Sequence, residues 1–387
     1  MAKRTGGFIG QDGINAPDPA TGVAGTAGDE QVDVSFTSPS DVGGAAVTEY
    51  RVTDSTGAHT ASGSASPVTM TGLTNGTSYT FNVWAINPFG WSTASDASGS
   101  VSPLAARALF FGGQGPSSDT DLNVIDYVAI STTGNAIDFG DIGATAGFTS
   151  ACGSASRSLV STMRYGGSTS NVIEYVTPTS AGNALDFGDL TVARFWGAGA
   201  SNSTRGLFAG GSGTNVIDYV TIASTGNATD FGDLTNSVSA MGSAASPTRA
   251  IFAGGGTNVI QYVTIASTGN ASDFGDLSEA QGDAGCSSST RALFGNVNGK
   301  IEYITIASTG NATIFGELSV GNTVTDQMAA SSEVRGLFAG GKVGGEGYNN
   351  RIQYFTISTT GNSTDFGDLT ISRNRGAGTS TAHGGLS

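Results

Sequence analysis

The sequence predicts an all-β chain of two parts: a β-sandwich over residues 16–103, then a six-bladed β-propeller over residues 104–387 closed by its own C-terminus. Three observations carry this. Short runs before residue 104 alternate apolar and polar side chains, the mark of half-buried strands. From there on, a unit of about 45 residues recurs six times, the length of four short strands in one blade. The last residues match an inner strand that the first unit lacks.

The strands of the first part can be read in order. In "QVDVSF", Val32, Val34 and Phe36 share one face and Gln31, Asp33 and Ser35 the other. "EYRV" repeats the pattern with Tyr50 and Val52, and "SPVTMTGL" with Val68 and Met70. "SYTFNVWAIN" places Tyr79, Phe81, Val83 and Ala85 on one face. The turn-forming runs "SPSDVGG", "DSTG", "TNGT" and "NPFG" separate them. Several short strands without cysteines make a sandwich. These residues resemble a fibronectin type III module: "APDPATGVAGTAGDEQVDVSF" is similar to its first two strands. "GLTNGTSYTFNVWAIN" is similar to its tyrosine-corner segment, with Leu73 and Tyr79 in the expected places. Phe36 stands where that family often has Trp.

The repeats are dated by two aromatics. A Tyr recurs in "VIDYV"-like runs at Tyr127, Tyr175, Tyr219, Tyr262, Tyr303 and Tyr354. A Phe recurs in "DFGDL"-like runs at Phe139, Phe187, Phe231, Phe274, Phe315 and Phe366. One unit parses into a small-residue inner strand ("SAMGSAAS"), an apolar strand ("RAIFAGG"), a long third strand ("NVIQYVTIAS"), a "TGN" turn and an outer strand ("ASDFGDL"). Glycine pairs end the second strand at Gly112-Gly113, Gly166-Gly167, Gly210-Gly211, Gly254-Gly255 and Gly340-Gly341, while the fifth unit has Gly295-Asn296. This arrangement resembles a kelch-type propeller. The first unit starts at "RALFFGG" with no inner strand of its own, and "RNRGAGTSTAHGG" at the chain end matches "RFWGAGASNSTRG". The C-terminus is therefore expected to supply that strand.

Composition narrows the function. The chain has 387 residues, 12% of them charged, a net charge of −15 and 60 glycines. Its lysines are Lys3, Lys300 and Lys342, so no basic stripe for nucleic acid exists, and an acidic chain is not drawn to an anionic membrane. No apolar run reaches the length of a membrane helix. "MAKRTGGFIGQDG" lacks the apolar stretch of a signal peptide, which leads to the expectation of a chain made in a cytoplasm. His59 and His383 are too few for a multi-histidine metal site, and no cofactor is expected.

Candidate residues fall in three groups. The first is a series of arginines, Arg107, Arg157, Arg205, Arg249, Arg291 and Arg335, matched by the acids Asp141, Asp189, Asp233, Asp276, Glu317 and Asp368. Structural ion pairs or strand-end hydrogen bonds are the preferred reading, and an anion-binding ring of arginines is the alternative. The second is Phe89 and Trp91 beside "NPFGW", read either as an aromatic platform for a sugar or partner or as a strand start packing on its own sheet. The third is Phe8 and Ile9, the bulky apolar residues of a glycine-rich arm, residues 1–15, expected to attach to another protein. "DFG" occurs in five units and so is architectural rather than a kinase motif. The sequons at Asn202, Asn227, Asn270, Asn311 and Asn362 read as turn asparagines. No catalytic residue stands out from the repeat. Cys152 and Cys286 occupy equivalent inner-strand positions in opposite units and are expected to be free.

The leader "RTGGFIGQDGINAPDPATG", running into a sandwich and then Gly/Ser/Thr/Asn-rich repeats, resembles virion proteins of tailed phages, cyanobacterial ones in particular. The resemblance implies a non-enzymatic tail, neck or capsid appendage, a homo-oligomer or multi-copy in its assembly. It would bind other virion proteins through its arm and a host-surface glycan or neighbouring subunits through the propeller. A bacterial surface or secreted adhesin is the alternative, and a carbohydrate-active propeller enzyme a third reading.

Overall fold

The computed structural model describes residues 15–117, 120–162, 164–165, 168–280, 284–296, 298–319 and 324–382. Phe8, Ile9, Gly166-Gly167 and His383 lie outside them. Every regular element among the described residues is a β-strand. The chain divides into two compact units, one ending at Ala105 and the other starting at Ala106.

The first unit has two sheets. One orders Thr21–Ala27, Gln31–Thr37 and Val68–Thr71; the other orders Thr60–Gly63, Glu49–Asp54, Phe81–Asn87 and Gly90–Trp91. All the inward positions read from the alternation, from Val32 to Ala85, are buried. Phe36 packs on Tyr50 with ring centroids 4.7 Å apart, so an aromatic fills this place without Trp. The Tyr79 hydroxyl accepts a hydrogen bond from the Thr74 N–H at 3.0 Å, pinning the corner before Phe81–Asn87. The edge of that strand is covered by a device the sequence reading missed. Ser92, Ser95 and Ser98 donate their N–H groups to the carbonyls of Ala85, Val83 and Phe81. Their hydroxyls accept from the N–H groups of the same three residues. A serine at every third position thus pairs with every second residue of a strand, leaving no bare edge there.

The second unit is built on six main sheets that share a set of four antiparallel strands, the second sheet being extended to six. The third is typical: Ala198–Ser201, Arg205–Ala209, Val216–Thr221 and Thr229–Asp233, from innermost to outermost. The fourth and fifth repeat it, starting from Met241–Ala245 and Ala284–Ser287; the sixth starts from Met328–Ser331 and the second from Ser150–Gly153. The first sheet takes Arg107–Phe111, Val124–Ala129 and Ile137–Asp141 from its own repeat and its innermost strand, Ala377–Ser380, from the far end of the chain. The pairing runs Ala377↔Phe111, Gly378↔Phe110, Thr379↔Leu109 and Ser380↔Ala108, the partnership expected for that segment.

Burial follows from these layers. The innermost strands carry Ala, Ser, Gly and Cys because they crowd together, and those of all six sheets line one cavity of about 50 Å³. Second strands supply Leu207, Phe208, Ile251, Phe252, Leu337 and Phe338, all buried between neighbouring sheets. Burying one such side chain is worth about 1.5–3 kcal/mol.

Candidate functional site

The repeated arginines bind the next sheet, not the acids. Arg107 donates through Nη1 to the Pro178 carbonyl, Arg157 to Ile222, Arg205 to Ile265, Arg249 to Ile306, Arg291 to Ile357 and Arg335 to Ile130, at 2.8–3.1 Å. The last of these runs from the sixth sheet to the first. Each guanidinium also lies over the repeat tyrosine of its own sheet, 4.6–4.9 Å from the ring centroid. The tyrosine in turn meets the outer-strand Phe edge-on. Of the two structural expectations, strand-end hydrogen bonds describe these arginines, and among the described residues none of them forms an ion pair with the matched acids. A planar guanidinium covered by an aromatic ring, with a donor committed to a carbonyl, is a strut between sheets.

The acids mark the second strut. The N–H groups of Asp141, Asp189, Asp233, Asp276, Glu317 and Asp368 donate to the side-chain oxygens of Asn183, Asn227, Asn270, Asn311, Asn362 and Asn135, each in the turn of the following sheet. Beside each bond the turn's glycine donates to the repeat Phe carbonyl, as Gly182 does to Phe139 and Gly134 to Phe366. The outer strand is therefore an edge occupied by its neighbour's turn. This explains the glycine of "DFG": at Gly140, φ is +145° and a Cβ would come 2.5 Å from the Gly182 carbonyl oxygen.

A third set of bonds is buried. The middle of each third strand holds Asp126, Glu174, Asp218, Gln261, Glu302 or Gln353, each accepting from the preceding sheet. Among the described residues two junctions add an ion pair here: Arg194 to Asp218 at 3.0 Å, from the second sheet to the third, and Arg373 to Asp126 at 3.1 Å, from the segment after the sixth sheet to the first. All four side chains are inaccessible to solvent. Burial pulls both guanidinium groups below their usual range, and the paired carboxylates act against it.

Cys152 and Cys286 are free and buried, with their thiols pushed up by burial. They pair in register with Leu159 and Leu293, the place taken by Ala200, Ala244 and Ala330 elsewhere. On the sandwich, Phe89 and Trp91 are 48% and 50% exposed, and Arg51 lies over Trp91 at 5.3 Å.

What sequence reading missed is a belt just ahead of the innermost strands. Phe148, Trp196, Ala240, Asp326 and Arg375 stand at equivalent positions and all hold φ between +56° and +63°, a region costly for residues with a Cβ. Backbone bonds link them: Ala240 donates to Trp196, Phe148 to Arg375 and Arg375 to Asp326. Side chains link four of them in series. Arg375 Nε reaches Asp326 at 3.2 Å, its guanidinium lies 4.9 Å over Phe148, and Phe148 meets Trp196 edge-on at 4.8 Å. Phe195 joins both rings. Nothing in residue type betrays this equivalence; only the backbone does.

The same end of the sheets carries the departures from the repeat. In the third, fourth and fifth sheets a short connection joins the second and third strands. The first, second and sixth, which are consecutive through the bonds above, carry extra paired strands there. These are Gln114–Gly115 with Thr120–Asp121, Ala146–Gly147 with Arg164–Tyr165, and Val324–Thr325 with Lys342–Val343 and Gly347–Tyr348.

Comparison with known proteins adds one family. Residues 17–100 match the fibronectin type III domain, and this part of the chain is such a domain. Among solved structures, the chain is similar to domains A168-A170 of titin at 29% identity over 23% of this chain and 32% of that one, with a TM-score of 0.22. The chain thus spans about a third of that structure. No curated protein matches.

Proposed function

We propose that the six sheets are blades of one closed β-propeller, and that the chain is a non-enzymatic structural and adhesion protein of a phage particle. In this reading the arm, residues 1–15 with Phe8 and Ile9, attaches to another virion protein. The fibronectin type III domain acts as a spacer, and the propeller faces host-surface glycan or neighbouring subunits. The observation that carries the reading is the use made of the repeated polar residues. Arginines, turn asparagines and third-strand acids or amides are all committed between sheets. The cavity they surround is lined by Ala, Gly, Ser, Thr and Cys. Such a framework invests its chemistry in rigidity, and loops at one end are free to vary. The bonds from Arg335 to Ile130, from Asp368 to Asn135 and from Thr370 to Asp126 support closure of the sixth blade on the first. Mass spectrometry of gradient-purified particles tests the assignment. The chain should be present at fixed stoichiometry, and its recovery only from the soluble lysate would contradict a virion role.

A further inference from the structure

We propose that the belt Asp326–Arg375–Phe148–Trp196 is the binding site of this unit, and that it takes a neutral saccharide. This rests on the adhesion reading above and narrows it to one end of the propeller and one class of ligand. In a repeat protein, a feature present in every unit serves the architecture, so a site is sought where units differ. Two departures coincide. The consecutive sixth, first and second sheets carry the extra paired strands. At their foot, the repeated left-handed position bears Asp326, Arg375 and Phe148, with Trp196 in the next sheet, whereas the fourth sheet has Ala240. The conformation is shared and so architectural; what differs is the side chain it presents, bulky or charged at these four positions and Ala240 in the fourth sheet.

The chemistry selects the ligand. Trp196 and Phe195 are partly exposed and lie side by side, ring centroids 5.3 Å apart, as an apolar surface. The Trp196 indole N–H is buried without a hydrogen-bond partner among the described residues. Through Phe148 the belt continues to a guanidinium, a carboxylate and an amide: Arg375 bonds Asp326 through Nε and Gln114 Oε1 through Nη1 at 2.8 Å. The Arg375 cation is paired with the Asp326 carboxylate at 3.2 Å. An aromatic face beside neutralised polar groups suits the C–H face and hydroxyl edge of an uncharged sugar ring.

The test titrates the full chain with an array of neutral hexose and N-acetylhexosamine oligosaccharides, and follows the Trp196 indole N–H resonance with the best binder. The resonance should shift in the wild-type chain, which needs no variant to fold. Trp196→Ala should weaken binding by about tenfold or more. Its melting should be little changed, because Ala240 holds the same backbone conformation. Binding with an unmoved Trp196 resonance, or a loss that follows Trp91→Ala instead, would overturn the site while leaving the adhesion reading intact. A wild-type chain that binds no saccharide on the array would overturn the ligand class, and the particle measurement above would still judge the virion role separately.

Discussion

The Sγ of Cys152 occupies the space in which a Cβ on Gly206 would sit, 2.7 Å from it. Cys286 and Gly336 repeat the relationship at the opposite junction, again at 2.7 Å. Where the inner strand has Ala200 or Ala244, the next sheet has Ala250 or Ala292 in place of that glycine. The larger thiol is thus matched by a smaller neighbour. Gly206→Ala should destabilise by about 1–3 kcal/mol through overpacking. Adding Cys152→Ala should restore most of that, since it recreates the Ala–Ala junction; denaturant melts of the single and double variants would show the coupling.

Across the junction between sixth and first sheets, removing one partner of a buried ion pair strands the other. Asp126→Ala should cost about 3–5 kcal/mol. The double variant Arg373→Val with Asp126→Gln, which copies the Val238 and Gln261 of another junction, should recover much of it in the same melts. Equal stability of all three chains would show the pair to be solvent-accessible.

The glycine of "DFG" is a docking surface. Gly140→Ala meets both a positive φ and the Gly182 carbonyl, and should lower stability by about 1–3 kcal/mol. Gly134→Ala, where an added Cβ has open space, should change it little. Thermal melts of the two variants side by side check the contrast.

The repeat, its strands and the sandwich core were legible because each is written in residue type at fixed spacing. The C-terminal strand was legible for the same reason: "GAGTS" reads like "GAGAS". Which carbonyls the arginines meet was not, because a carbonyl leaves no trace in sequence, whereas acids at matching intervals do. The belt was hidden more deeply. Phe148, Trp196, Ala240, Asp326 and Arg375 share a backbone conformation and no chemistry. The Ser92-Ser95-Ser98 edge was missed because its period of three fits neither a strand nor a helix.

In the sandwich, burial would raise the Asp54 carboxyl. Hydrogen bonds from His59 and Thr56 outweigh it and hold the group down, from 3.8 to about 2. A carboxyl lowered on folding adds stability above its unfolded value and loses it as pH falls through the folded one. Asp54 should therefore contribute about 2 kcal/mol above pH 4, fading toward pH 2. The stability difference between wild type and Asp54→Asn should shrink over that interval, and a difference independent of pH would refute the assignment.

The central claim is that the six sheets close through Ala377–Ser380. Scanning calorimetry of a chain ending at Ile371 tests it most directly, since that chain lacks the innermost strand of the first sheet and the Arg373–Asp126 pair. If the ring is closed, the transition of the second unit should fall by about 10 °C or more as a whole, while that of the fibronectin type III domain stays in place. If the truncated chain melts like the full one, the first sheet does not need its C-terminal strand and the closed ring is contradicted.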